Sequence, residues 1–168
     1  KGPYHADVGD FGSAGSASFH LAERLPERAI ELGLGEDGFQ RLVSVGSVGE
    51  GDTALSWGAE DQRSDGPWTA IEEDVRKRSV ALKASTTLGA GIAYVTLMGY
   101  ENDWNSPDQI PQRAVDLGLI DRLGSIDRGL GGTTSRRSLS GGWRGPLADG
   151  HFEATAYAID YDLSLWSN

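Results

Sequence analysis

The chain has 168 residues, a formal net charge of −10 and 24 glycines, but no cysteine. The lack of cysteine excludes disulfides, cysteine-based zinc sites and thiol catalysis, and the acidic balance argues against nucleic acid as a partner. Together with a negative mean hydropathy these values describe an ordinary soluble acidic domain. No run approaches the roughly 18 apolar residues of a transmembrane helix, but a membrane barrel hides its apolar surface in alternation.

Taken in order, 1–23 is compact and turn-rich, with glycines and small residues ahead of a short alternating stretch at 16–21. Regular alternation starts at Ala29, with Ile30, Leu32 and Leu34 on one side and Ala29, Glu31 and Gly33 on the other, which is the period of a half-buried strand. Gly35, Glu36, Asp37 and Gly38 supply hairpin chemistry. A return strand at 40–47 sets Val43 and Val45 opposite Ser44 and Gly46. A third strand, 53–60, places Leu55, Trp57 and Ala59 opposite Ala54, Ser56, Gly58 and Glu60. The fourth, 75–85, sets Val80, Leu82 and Ala84 against Lys77, Ser79, Ala81 and Lys83. The fifth, 92–104, is mixed, with Tyr94, Met98 and Tyr100 facing away from Val95 and Leu97.

The longest connection is 105–136, within which Pro111 to Leu117 followed by Gly118 predicts a short helix ended by a glycine cap. The sixth strand, 137–144, puts Leu139 and Trp143 opposite Ser138 and Ser140. The seventh, 151–166, sorts most cleanly. Tyr157, Ile159, Tyr161, Leu163 and Leu165 form a large apolar file, and Ala154, Ala156, Ala158, Asp160, Asp162 and Ser164 a small or acidic one. At about 3.4 Å per residue this strand would extend about 50 Å, far beyond the usual strand of a soluble sheet. The pattern predicts the large file outward against lipid and the small, acidic file inward.

After the first hairpin the connections alternate in length. The turns at 48–52, 86–91 and 145–150 would lie at one end of the sheet, and the longer connections at 61–74 and 105–136 at the other. Outer-membrane barrels show this asymmetry, which would place Trp68, Trp104 and Trp166 towards the outside. The fold expected is therefore all-β, an antiparallel meander of about seven strands with the alternation of a transmembrane barrel.

No catalytic constellation is apparent. His5, His20 and His151 lack the paired spacing of a zinc site, and Glu72, Glu73 and Asp74 fit a solvated loop end better than a calcium ligand set. Asp160 and Asp162 share one strand face, whereas a glycosidase needs carboxylates across a cleft. Ser138 and Ser140 have no matched histidine and acid. The expectation is no enzyme, no metal site and no cofactor.

The segment GPYHADVGDFGSAGSA (2–17) resembles the closing part of the plug domain of TonB-dependent outer-membrane receptors, and the strands after it resemble the first strands of their barrel. GYENDWNSPDQIPQRAVDLGLIDRLGSID and SLSGGWRGPLADGHFEATAYAIDYDLSLWSN are similar to segments of one branch of that family. The resemblance implies an energised importer in which a plug fills a barrel of about twenty-two strands. On this reading 1–27 is the end of a plug and 28–168 the N-terminal barrel strands, with an extracellular loop at 105–136. The chain would then be a fragment. The implied location is the outer membrane of a Gram-negative bacterium. The implied partners are outer-membrane lipid, TonB acting through the missing N-terminal part, and a scarce nutrient such as a metal chelate, with a ferric siderophore as the expected cargo. Asp103, Trp104 and Asn105, at the mouth of the long loop, become the ligand-binding candidates. The competing reading is a soluble carbohydrate-binding β-sandwich with Trp68, Trp104 and Trp143 stacking on sugars, which would need a second sheet over the apolar file.

Overall fold

A computed structural model describes residues 19–167. Seven strands form one antiparallel sheet in sequence order: β1 (Ala29–Leu34), β2 (Gln40–Val48), β3 (Ala54–Ser64), β4 (Val75–Leu88), β5 (Gly91–Asn105), β6 (Gly131–Leu147) and β7 (Gly150–Trp166). One short helix, α1 (Gln112–Asp116), lies between β5 and β6. It ends at Leu117 with Gly118 at φ +66°, the left-handed position that glycine occupies without penalty. The fold is the all-β meander expected. It is open, since β1 and β7 each have one strand neighbour, and no second sheet is present among the described residues. His5 and the whole plug-like segment 2–17 lie outside the described residues.

Pairing runs through all six ladders without a skipped residue, so side-chain alternation divides the sheet into two faces. One, termed the open face, carries Ile30, Leu32, Leu42, Leu55, Trp57, Val80, Leu82, Val95, Leu97 and Leu139. Its aliphatic side chains are exposed, with Ile30 at 79%, Leu97 at 49% and Leu139 at 48%. The other, termed the covered face, carries the most buried side chains, Ala54, Ser56, Lys83, Ser85 and Thr96. On β2 to β6 burial is thus inverted relative to a water-soluble domain, whereas β7 is exposed on both faces.

The open face changes chemistry at one level on successive strands. Reading from the short-turn end, β3 passes from Leu55, Trp57 and Ala59 to Asp61 and Arg63. β4 passes from Leu88, Ala84, Leu82 and Val80 to Arg78 and Arg76. β5 passes from Ala93, Val95 and Leu97 to Glu101 and Asp103, and β6 from Trp143 and Leu139 to Arg137. On β4 the apolar part, 80–88, extends about 27 Å along the strand at ~3.4 Å per residue, which suits an apolar band about 25 Å tall. Trp57, Trp143 and Phe152 lie near the short-turn ends of their strands on this face, and the last two rings approach to 6.4 Å between centroids.

β7 corrects the expectation drawn from its own periodicity. Its register pairs Tyr157 with Ser140, Ile159 with Ser138 and Tyr161 with Arg136. The large file therefore shares the covered face with Lys83 and Ser56. Ala154, Ala156 and Ala158 continue the apolar band beside Trp143, Gly141 and Leu139, and Asp160 and Asp162 continue the charged level beside Arg137 and Ser135. Two side-chain rows agree with this register. The Tyr94 hydroxyl passes over Gly142 to the Thr155 hydroxyl at 2.8 Å. Trp104 and Leu165 meet over Gly132, where an added Cβ would fall 2.6 Å from the Trp104 ring and 2.8 Å from Leu165. Periodicity identifies the two files of a strand, but which file faces lipid depends on pairing with a neighbour. Gly132→Val should destabilise the sheet by about 1–3 kcal/mol through overpacking. A matching loss of near-ultraviolet tryptophan dichroism would report displacement of Trp104.

Three connections also differ in their bounds. The connections 89–90 and 148–149 are tighter than expected, and the long loop spans 106–130 instead of 105–136. Gly131 to Arg136 belong to β6, paired with both β5 and β7. Glycine, threonine and serine there carry no apolar periodicity, so the backbone ladder continues where the side-chain signal stops.

Candidate functional site

Residues 20–28 lack regular structure and are fastened to the covered face by polar contacts. Lys83 donates from Nζ to the Leu21 carbonyl at 2.5 Å and to Glu23 Oε1 at 3.1 Å. Arg144 of β6 donates to the same carboxylate. Ser56 Oγ donates to the Ala22 carbonyl at 3.0 Å, and the Leu25 N–H donates to Ser47 Oγ at 2.9 Å. The Arg24 guanidinium reaches the Gly49, Gly51 and Thr53 carbonyls of the β2–β3 turn. Hydrogen bonds and charge thus hold the segment in place.

Burial pushes the Glu23 carboxyl up, but the hydrogen bond and charge of Lys83, with the charge of Arg144, outweigh it and hold the group below its ordinary value of 4.5. A depressed carboxylate stabilises the folded state above its unfolded pKa, and that contribution is lost as pH falls through the folded pKa. Lowering the pH from neutral to below the ordinary carboxylate range should therefore reduce hydrogen-exchange protection of the Leu25 amide more than that of amides in the middle of β4. Equal loss at both would mean that Glu23 does not control the segment.

Towards the long-loop end the covered face opens into a groove of about 450 Å³. Its floor is apolar, with Val43, Val45, Ala81 and Met98, and its rim includes Arg41, Glu60, Tyr100 and Arg136. Arg41 pairs with Glu60 at 2.6 Å and Glu31 at 3.0 Å, and Lys77 pairs with Glu60 at 3.1 Å. Asn102, in the next row, holds a buried Oδ1 without a hydrogen-bond partner among the described residues. Arg136 is exposed and has no hydrogen bond or ion pair among the described residues.

The loop-mouth candidates do not converge. Alternation places Asp103 and Asn105 on the open face and Trp104 on the covered face. Asp103 is exposed opposite Arg76 and Thr133. Trp104 packs over Gly132. Asn105 ties the loops together: its side chain donates to the Glu72 carbonyl at 3.0 Å and its N–H to that of Glu73 at 2.6 Å. The Trp68 indole donates to the Glu73 carboxylate, and the Thr69 N–H donates to the Leu123 carbonyl at 3.0 Å. Asn105 is thus a loop anchor, joining 65–74 to the base of the longer loop.

Asp160 and Asp162, expected to line an inner wall, stand on the open face. The Glu73 carboxylate accepts from Trp68 and Asp74 pairs with Arg76 at 3.1 Å, while Glu72 is exposed and contributes its main-chain carbonyl to Asn105. Among the described residues no group of three metal-ligating side chains comes together. Sequence reasoning missed Arg136, Tyr100, Arg41 and Glu60 as a group. Alternation could have aligned Glu60 with Lys77, but Arg136 falls in the loop expected from sequence. No family model, curated protein or solved structure matches the chain.

Proposed function

We propose that this chain is the plug end and the first barrel strands of a TonB-dependent outer-membrane receptor, which imports a scarce nutrient such as a ferric siderophore. The observation that carries the membrane part of this reading is the inverted burial. On β1 to β6 leucine, isoleucine and valine stand exposed on the open face, while serine, threonine and lysine of the covered face are among the most buried side chains; β7 is exposed on both faces. In water, an exposed apolar sheet face with two unpaired edges would associate. In a bilayer, the same face is solvated by acyl chains, and edges are satisfied when further strands complete the barrel.

Support for the receptor part comes from the resemblance together with the leading segment. Residues 20–28 lie on the face opposite the apolar band and are secured by Lys83, Ser56 and Arg144, the side on which a plug would enter a barrel. Short connections at one end and long, mutually bonded loops at the other suit periplasmic turns and an extracellular mouth. The siderophore class rests on the resemblance alone. The direct test is uptake of radiolabelled ferric chelates by cells that carry or lack the gene encoding this chain. Uptake of one chelate should require both the gene and a proton-motive force. Unchanged uptake of every chelate tested on deletion would remove the siderophore assignment.

A further inference from the structure

We infer that the groove on the covered face binds a small anion with a flat apolar body, and that Arg136 supplies the charge that selects it; its role as a cargo site rests on the importer reading above. The chain as a whole is strongly acidic, yet the outer half of this face is not. There Arg41, Lys77 and Arg136 face Glu31 and Glu60, three cations against two anions. Four of these five satisfy one another across the strands, through Arg41–Glu31, Arg41–Glu60 and Lys77–Glu60. Among the described residues Arg136 is the cation left over.

Its surroundings define the rest of the ligand. In its cross-strand row Arg136 stands between Tyr100 of β5 and Tyr161 of β7, and the groove it borders has Met98 of the neighbouring strand and, further across the sheet, Ala81, Val45 and Val43 on its floor. A guanidinium binds carboxylate or a similar anion through a planar pair of donors. Aliphatic and aromatic neighbours favour a flat apolar body held next to that anion. The adjacent Arg137 provides an internal contrast, because it projects from the open face and pairs with Glu101 at 3.7 Å.

The test uses the full chain in phosphatidylcholine nanodiscs, with 2-naphthoate as the anionic probe and 2-naphthylmethanol as its neutral counterpart. Binding is measured by titration calorimetry after subtraction of empty-disc partitioning, with circular dichroism confirming that each variant keeps its β content. Saturable binding of 2-naphthoate is expected, weakened about tenfold by Arg136→Gln and largely retained in Arg136→Lys. Arg137→Gln should leave it unchanged, and neither glutamine variant should alter the response to the neutral probe. Absence of saturable binding, equal affinity for the two probes, or equal effects of the two glutamine variants would overturn the proposal. Such a failure with chelate uptake intact would remove the ligand class and leave the importer reading in place; loss of uptake dependence with probe binding intact would do the reverse.

Discussion

Replacing Leu97 by arginine should cost about 2–4 kcal/mol of folding stability in a phosphatidylcholine bilayer, whereas Met98→Arg should cost less than about 1 kcal/mol. The two positions are chain neighbours with similar exposure, 49% and 48%, so burial within the chain does not separate them. The face does. Leu97 lies between Leu82 and Leu139 on the apolar band, and Met98 between Ala81 and Ser138 on the covered face. A guanidinium on the band must be held in hydrocarbon or snorkel to the headgroups, while one on the covered face meets polar groups and water. Guanidinium titration followed by tryptophan fluorescence gives both values. Equal costs would mean that lipid does not distinguish the faces.

Glu23→Ala is expected to be the most damaging change outside the strands, at about 1.5–3 kcal/mol, the range for hydrogen bonds to charged groups. The loss comes from the partners left behind, the buried Lys83 above all and Arg144 beside it. Lys83 is 6% exposed, and without the Glu23 carboxylate it keeps the Leu21 carbonyl and a position 5.4 Å from the Tyr94 ring centroid. A buried ammonium deprived of its counter-charge is costly, and replacing both partners by apolar groups is commonly close to neutral. The double variant Glu23→Ala/Lys83→Met should therefore recover most of the loss, as measured by the same titration. If Glu23→Ala alone costs under about 0.5 kcal/mol, below the range for hydrogen bonds to charged groups, the segment is held chiefly by Arg24 and the serine contacts.

Much of the sheet is legible in the sequence because its chemistry repeats every second residue. Leu55 and Trp57, Val80 and Leu82, and Val95 and Leu97 each fall in one file, and the register keeps those files together on the open face. The cap at Gly118 is legible because only a residue tolerant of positive φ suits that position. The orientation of β7 is not. Its two files are unambiguous, but size points to the large file as the partner of the leucines and valines of the other strands, whereas the register sets the alanine file beside Leu139 and Trp143 and the tyrosine file beside Ser138 and Ser140. The site is less legible than the fold. Asp103, Trp104 and Asn105 are adjacent in sequence and therefore divided between faces, whereas Arg41, Glu60, Tyr100 and Arg136 come from four strands and meet only through pairing.

Which face meets lipid is tested most sharply on β7, where periodicity and register give opposite answers. The chain has no native cysteine, so Ala156→Cys and Tyr157→Cys can each carry a single nitrobenzoxadiazole label in vesicles containing a doxyl-lipid quencher. Strong quenching at position 156 and weak quenching at 157 is the expected result, with the alanine file against lipid and the tyrosine file on the covered face. Strong quenching at 157 and weak quenching at 156 would contradict the register of β7 and the assignment of faces built on it.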